Sequence, residues 1–292
     1  MASNNQELAD FLRRARSKVD PARAGLPFDG RIRRVPGLRR EEVALLAGVS
    51  TDYYTRLEQG RRITPSDSVL DAVARALGLD ETGRAHLGHL VSSSAAPARR
   101  RTPTVQRVRP GLHQFLDSLD GHPALVLGRR TDVLASNRLA RALFTDFEAM
   151  RPRERNYARW MFLDDGARSL FLDWEEQARS AVHNLRLEVG SETDDPGVHA
   201  LVAELTELSP EFRAWWEEHD VYQRTFDTKR LHHPVVGDLS VHYETLALPG
   251  DPDQTLFVYT TEAGTSSREA LDLLASWVLS ETGTSADSRV GP

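Results

Sequence analysis

The chain has 292 residues, of which 40% are hydrophobic and 27% are charged, a balance that predicts a globular protein of about two domains. It contains no cysteine, which excludes disulfides, Cys-ligated zinc, iron–sulfur clusters and thiol nucleophiles. No run of about 18 apolar residues occurs and the N-terminal stretch is polar, so we expect neither a transmembrane helix nor a signal peptide, and a cytoplasmic protein.

Charge divides the chain into two parts. Residues 1–110 hold 20 basic and 12 acidic residues, a net charge of +8, whereas residues 111–292 have a net charge of −14. This asymmetry indicates a module for a polyanion beside a module with another task. The border is rich in Ser, Ala, Pro and Arg and lacks apolar periodicity, which is typical of an exposed linker. We therefore predict domains over 1–91 and 110–292, joined by a linker over 92–109.

The basic part begins with a helix predicted over residues 6–19, whose apolar positions have helical spacing. Next, Val43, Leu46 and Ala47 form the apolar face of a second helix. Gly48 then suits a tight turn and Val49 packs inward. Ser50 caps a third helix, predicted over residues 51–59, which turns Tyr54 and Leu57 towards the core. Two further helices are predicted over residues 67–77 and 81–91. A helix, a short turn and a second helix in this order predict a DNA-binding helix–turn–helix.

These residues resemble a known family. Residues 6–90 are similar to the five-helix DNA-binding domain of phage repressors (the XRE type). The stretch PGLRREEVALLAGVSTDYYTRLEQGR resembles its variant in the MmyB-like regulators of actinomycetes and related bacteria. The resemblance implies that double-stranded DNA is a partner of this part of the chain.

Contacts with DNA are predicted for two sets of residues. The start of the recognition helix enters the major groove, so base contacts are predicted for Thr51, Asp52, Tyr53, Thr55 and Arg56. Arg56 is the main candidate for specificity, because arginine reads guanine with two hydrogen bonds. Phosphate contacts are predicted for Arg39, Arg40, Ser50, Arg61 and Arg62. Glu58 and Gly60 are interpreted as a structural pair that ends the helix. The alternative is that these arginines only solvate a helical surface.

The acidic part mixes strands and helices. A short helix is predicted over 110–119, followed by a hairpin of strands 124–127 and 132–136. Four helices follow, over residues 137–149, 165–189, 196–208 and 210–219. Three strands return over 231–236, 239–248 and 255–261, with a turn at Gly237 and Asp238, and a last helix covers 267–280. This order predicts an α+β fold, an antiparallel sheet with helices over one face, similar to a PAS-like sensor domain.

Four stretches of this part resemble the C-terminal ligand-binding domain of the same MmyB-like family: GHPALVLGRRTDVLASN, RNYARWMF, KRLHHPVVGDLSVHYETL and LPGDPDQTLFVYT. The resemblance implies a buried pocket for a small, long-chain apolar or acyl ligand of the fatty-acid type. The ligand-binding candidates are Asn156, Tyr157, Arg159, Phe162 and Tyr243. Arg159 lies among aromatic residues, where it would pair with a ligand carboxylate or form an ordinary salt bridge.

Other polar residues of the chain receive structural interpretations. Asn137 is interpreted as a helix cap, and His86 and His89 as a solvated or interdomain face. His232 and His233 are adjacent on a strand and so point to opposite faces, which disfavours a metal site.

We therefore predict a homodimeric, ligand-sensing transcription regulator, since one recognition helix reads only a few base pairs. One alternative is a ligand-independent regulator whose acidic domain is a scaffold for dimerisation or protein interaction. A second, an enzyme with a DNA-binding tag, is disfavoured because the sequence lacks the common nucleophile, phosphate-binding and zinc-protease motifs. No cofactor, metal or membrane partner is predicted.

Overall fold

The computed structural model describes residues 2–22, 24, 37–61, 63–95, 106–191, 195–219 and 226–287. The chain forms two compact units. The first contains residues 1–103 together with 183–200 and 213–223, and the second contains residues 104–182, 201–212 and 224–292.

The N-terminal part of the first unit contains five helices: α1 (Ala2–Lys18), α2 (Arg40–Ala47), α3 (Thr51–Glu58), α4 (Asp67–Ala76) and α5 (Glu81–Ala95). Each coincides with a helix that the periodicity predicts. Their apolar faces form one core, which includes Leu8 and Leu12 of α1 and the predicted Tyr54 and Leu57. Most of the segment that joins α1 to α2 lies outside the described residues.

Three details of this bundle differ from the predictions. Leu46 is 38% exposed, because the buried face of α2 is formed by Val43, Ala44 and Ala47. Helix α5 continues into the predicted linker, where Ser and Ala are compatible with a helix. His86 does not lie on an outer face: it is fully buried, and its ring stands edge-on to Phe11 at a centroid distance of 5.0 Å. Its i, i+4 spacing from the buried Leu90 places it on the apolar side of α5.

The second unit is built on a five-stranded antiparallel sheet. The strands are β1 (Ala124–Leu127), β2 (Val133–Ser136), β3 (Phe226–His233), β4 (Gly237–Ala247) and β5 (Thr255–Thr260), in the order β2-β1-β5-β4-β3. The five predicted strands and the antiparallel sheet are confirmed. The turn between β3 and β4 lies earlier than predicted, at residues 234–236, because Pro234 cannot donate a ladder hydrogen bond.

The remaining helices are α6 (Pro110–Asp117), α7 (Arg138–Leu143), α8 (Tyr157–Leu163), α9 (Asp165–Leu170), α10 (Trp174–Ser191), α11 (Pro196–Leu208), α12 (Pro210–Glu217) and α13 (Ser266–Asp287). The long helix predicted over 165–189 is two helices. Between them Phe171 forms a bridge with Leu231, and the N–H of Leu172 donates to the carbonyl of Arg230 at 3.0 Å. This pairing with β3 replaces helical hydrogen bonds at the break.

Side chains pack on both faces of the sheet, which corrects the prediction of helices over one face. On one face, Leu112 and Leu116 of α6 pack with Ala124, Val126 and Leu256. On the other face, aromatic side chains of the helices meet Tyr243 and Tyr259 of the strands. Within the ranges that the structure describes, no helix is long and apolar enough to cross a membrane.

Candidate functional site

The turn between α2 and α3 has the local geometry that the sequence predicts. Gly48 has φ +67°, a left-handed conformation that favours glycine, and its N–H donates to the carbonyl of Leu45 at 3.2 Å. Ser50 has extended backbone angles, and its hydroxyl accepts the N–H of Tyr53 at 3.1 Å, which caps α3. These short-range bonds fix where α3 begins.

Helix α3 separates a buried face from an exposed face. Tyr54 and Leu57 are buried in the bundle core. The residues predicted to contact bases lie on the other side of the helix, with Thr51, Asp52 and Arg56 exposed and Tyr53 and Thr55 partly buried. The Arg56 side chain is 53% exposed and pairs with Asp52 at 2.9 Å, one helical turn away. The five predicted base-contacting residues therefore share one accessible surface, which we call the α3 face.

A buried carboxylate joins α3 to two other helices. Glu58 is only 1% exposed, and its two oxygens accept hydrogen bonds from Nε and Nη2 of Arg16 at 2.8 and 3.0 Å. Nε and Nη2 of Arg40 also donate to it, at 3.1 and 3.0 Å. Burial acts to raise the pKa of Glu58, but the hydrogen bonds from both arginines outweigh burial and hold the pKa below its usual value. Glu58 thus has a structural role that connects helices, beyond the predicted role of ending α3.

The arginines predicted to contact phosphate differ in their surroundings. Arg40 is paired with Glu58, so its charge is already compensated within the bundle. Arg39 precedes α2, where its N–H donates to the Glu42 carboxylate at 2.6 Å, and its guanidinium is 3.6 Å from Glu41. Arg61 is exposed directly after α3, and Arg62 lies outside the described residues. Arg61 therefore retains the surroundings expected of a phosphate contact.

Six aromatic rings form a group in the second unit, in which Phe144 and Tyr157 are half-buried and the other four are buried. We call this group the aromatic cluster: Phe144, Tyr157, Trp160, Phe171, Tyr243 and Tyr259. Their neighbouring ring centroids are 4.9 to 6.3 Å apart, mostly in edge-to-face or tilted arrangements. Burial raises the pKa of Tyr157 and of Tyr259 above the ordinary tyrosine value. Two of the five predicted ligand residues, Tyr157 and Tyr243, belong to this cluster.

A buried lysine points into the aromatic cluster. Lys229 of β3 is 6% exposed, and its Nζ donates a hydrogen bond to Oε1 of Gln177, which is also buried. The same Nζ is 4.8 Å from the ring centroid of Tyr243 and 5.6 Å from that of Phe171. Neither Lys229 nor Gln177 is among the residues predicted from the sequence to bind a ligand. The strand alternation of β3 would have indicated that Lys229 is buried, because it places Lys229 on the same face as the buried Leu231 and His233.

The other predicted ligand residues serve the local fold. The Asn156 side chain caps α8 by accepting the N–H of Arg159 at 3.0 Å, and it donates to the carbonyl of Arg130 at 2.6 Å. Arg159 forms an ion pair with Glu204, which is the ordinary salt bridge that the sequence left open. Phe162 packs edge-on against Phe212 at 5.1 Å, away from the aromatic cluster. The structure therefore brings together only Tyr157 and Tyr243 of the predicted ligand set.

A separate cleft of about 390 Å³ opens elsewhere in the second unit. Its walls combine apolar side chains with a few polar ones: Leu116, Asp117, Leu119, Asp120, Asn137, Arg138, Leu139, Arg141, Ala275 and Val278. Asn137 is committed to its predicted cap, since Oδ1 accepts the N–H groups of Ala140 and Ala124 at 2.9 and 3.0 Å. The cleft is therefore an open space with an apolar lining, and none of its lining residues belongs to the aromatic cluster.

The two adjacent histidines of β3 point to opposite faces. His232 is exposed and contacts Asp238, whereas His233 is buried and its Nε2 is 2.9 Å from the carbonyl of Ala142. In the part of the chain that the structure describes, no group of three or more His, Asp or Glu side chains is arranged to hold a metal ion.

Comparison with protein families identifies two regions of the chain. The model of the MmyB-like transcription regulator ligand-binding domain matches residues 108–274, more than half of the chain, and a helix-turn-helix domain model matches residues 7–87. The curated proteins contain no match. Both models describe regulatory domains, one for DNA and one for a ligand. The α3 face lies within the helix-turn-helix match, and the aromatic cluster lies within the ligand-binding match. The chain belongs to the family of MmyB-like transcription regulators, and it combines a DNA-binding domain with a ligand-binding domain.

Proposed function

We propose that this regulator reads DNA with the α3 face and responds to a small apolar ligand with an anionic end, of the fatty-acid or acyl type, bound at Lys229. The observation that carries the proposal is the Lys229 ammonium, held among aromatic rings inside the ligand-binding domain. A buried ammonium needs hydrogen-bond acceptors around it. It has three donors and binds more than one acceptor, so the proposed carboxylate would share Nζ with Gln177 and with the other contacts of Lys229.

A fatty-acid-like ligand matches both parts of this environment. Its hydrocarbon chain would contact the rings, and its carboxylate would accept a charge-assisted hydrogen bond from Nζ. Such a bond contributes about 1.5 to 3 kcal/mol, which corresponds to roughly a ten- to hundredfold gain in affinity. A neutral ligand of the same length would gain the apolar contacts alone. The difference between the two ligands therefore reports the contribution of Lys229.

Thermal unfolding of the full chain with dodecanoate or dodecanol tests this proposal. Dodecanoate is expected to raise Tm more than dodecanol at equal concentration, because it binds the folded state more tightly. Lys229→Met should remove the difference between the two compounds. Ala275→Phe, which narrows the separate cleft and leaves Lys229 in place, is the matched control and should preserve the difference. Equal shifts from both compounds in the wild type would contradict the proposal.

A ligand-independent scaffold is the second candidate. The observation that favours it is the close mutual contact of the six rings, which fits a packed core as well as a binding site. This candidate predicts that Tm responds to neither compound. It also predicts that Lys229→Met alters stability without altering any response to a ligand.

The proposal includes a two-fold dimer on DNA in the bacterial cytoplasm, and no catalytic step. One recognition helix contacts only a few base pairs, so a dimer on half-sites about one helical turn apart supplies the specificity a regulator needs. Sedimentation of the chain with a duplex selected from a random library measures the stoichiometry. Two chains per duplex are expected, and one chain per selected duplex would contradict the dimer.

A further inference from the structure

One helix connects the ligand-binding residues with the N-terminal bundle. Helix α10 runs without interruption from Trp174 to Ser191. Its residues up to Val182 belong to the second unit, and its residues from His183 onward belong to the first. Each half carries a buried polar side chain, Gln177 in the first half and Arg186 in the second.

At the start of α10, Gln177 accepts the hydrogen bond from Lys229. Both side chains are buried, so the loss or redirection of this bond leaves a polar group without water to replace it. An anion that binds Lys229 changes the charge and the hydrogen bonding next to Gln177. Gln177 is therefore the residue through which α10 contacts Lys229.

At the other end of α10, Arg186 is 0% exposed and lies within the first unit. It pairs with Glu7 of α1, donates to the carbonyl of Trp216, and places its guanidinium 4.0 Å from the Trp216 ring. A fully buried guanidinium has to keep its carboxylate, because the uncompensated charge would be strongly unfavourable. The Glu7 pair therefore ties the position of α1 to that of α10.

Helix α1 makes a second buried connection nine residues beyond Glu7. Arg16 binds both oxygens of Glu58, the last residue of α3. These contacts form an unbroken series from the proposed ligand-binding lysine to the recognition helix: Lys229 to Gln177, α10, Arg186 to Glu7, α1, and Arg16 to Glu58. Every polar group in the series is buried or half-buried.

We propose that this series is a relay, in which α10 and α1 transmit the state of Lys229 to α3 and so set the affinity for DNA. The relay rests on the proposed function, which identifies the ligand whose binding at Lys229 is transmitted. Its parts are two pairs of opposite charge and one amide, each of which holds a helix at one position. In this relay a shift of α10 displaces α1, because the buried guanidinium of Arg186 has to stay paired with the Glu7 carboxylate. It reaches α3 because Arg16 holds Glu58 with two hydrogen bonds.

A double-mutant cycle on operator affinity tests the relay without any ligand. Affinity for a duplex selected with the wild type is measured by fluorescence anisotropy for the wild type, Lys229→Met, Glu7→Gln and the double variant. Lys229→Met is expected to change affinity at least about fivefold, the lower end of typical allosteric couplings. In the Glu7→Gln background the same substitution should change affinity less than twofold, because the relay is already broken.

A control on the same helix completes the design. Arg179 pairs with Glu175 within α10, so Arg179→Gln should preserve the full effect of Lys229→Met. Circular dichroism establishes that each variant is folded, and if Glu7→Gln unfolds, Glu7→Asp replaces it, since the shorter carboxylate keeps the charge but alters the pairing.

The relay is overturned if Lys229→Met leaves operator affinity unchanged, or if its effect is the same with and without Glu7. The dodecanoate experiment is independent of this cycle. A failure of the cycle leaves ligand binding intact, and a failure of ligand binding leaves the cycle to be judged on DNA affinity alone.

Discussion

Two buried charges, one in each unit, are compensated in different ways. In the first unit the Glu58 carboxylate is enclosed by two guanidinium groups. In the second unit the Lys229 ammonium contacts an amide oxygen and two ring faces. The first arrangement joins one carboxylate to two guanidinium groups and locks helices together. The second includes neutral partners, and the proposed function assigns an anionic ligand to this ammonium. The contrast separates a charge that serves stability from a charge that we propose to serve binding.

Removal of the Glu58 carboxylate is the largest expected effect. Glu58→Ala leaves Arg16 and Arg40 without their shared partner, and the loss of one member of a buried pair costs about 3 to 5 kcal/mol. Urea unfolding followed by circular dichroism measures the loss. Asp52→Ala is the control, because its pair with Arg56 is exposed and such pairs contribute less than about 1 kcal/mol. Equal losses for the two variants would show that Glu58 has no special structural role.

The next effect concerns the pH dependence of stability in the first unit. Burial, followed by the nearby positive charge of Arg186, lowers the pKa of His86 to about 3. The unfolded chain has its ordinary histidine pKa, about 6.5, so it binds the proton first as the pH falls. The stability contributed by neutral His86 is therefore complete above pH 6.5. It declines between pH 6.5 and 3, by about 2 kcal/mol at pH 5.

Unfolding at pH 7 and pH 5 tests this expectation. His86→Phe, which keeps a ring against Phe11 and removes the titrating group, should flatten the dependence. His113→Gln changes an exposed histidine and should leave the dependence as it is in the wild type. An unchanged pH dependence in His86→Phe would assign it to other groups.

On the α3 face, we expect Arg56 and Arg61 to differ in kind. Arg56→Ala should relax base preference by about 1 to 3 kcal/mol, because it removes a side chain that reads base edges. Arg61→Ala should weaken selected and random duplexes alike and lower the slope of log affinity against log salt by about 1. Anisotropy titrations at several salt concentrations distinguish the two. Identical losses on both kinds of duplex for both variants would overturn the assignment.

The smallest expected effect is on stability when Lys229 is replaced. Lys229→Met removes a buried charge and fills the same space with an apolar chain, and such replacements are often neutral or stabilising. The lost bond to Gln177 acts in the other direction. We expect a net change below about 1.5 kcal/mol in urea unfolding. A loss as large as that of Glu58→Ala would mean that Lys229, too, serves stability.

The sequence predicted the parts that depend on near neighbours. The turn at Gly48 and the cap at Ser50 depend on residues within one helical turn, so the sequence alone predicts them. The antiparallel strands were predicted for the same reason, since alternation is local. The break after α9 was missed because Phe171 pairs with Leu231, far away in sequence.

The partners of Glu58 and of Lys229 could be identified only from the folded structure. Lys229 meets Gln177 across 52 positions, and Glu58 meets Arg16 across 42. Nothing in the spacing of such pairs marks them, because their proximity depends on how strands and helices pack. Arg159 shows the converse. Its aromatic neighbours in sequence suggested a contact with a ligand, but its guanidinium pairs with the carboxylate of Glu204, which is distant in sequence.

The pairing of Phe171 and Leu172 with β3 has a consequence for assembly. An edge strand with unpaired backbone groups invites a strand from another molecule, which is a common route to open-ended aggregates. Here the carbonyl of Arg230 is taken by Leu172, and Leu231 is bridged by Phe171. Copies of this chain therefore cannot extend the sheet at these two residues. The break that interrupts a helix thus protects the middle of β3, one of the two edge strands of the sheet.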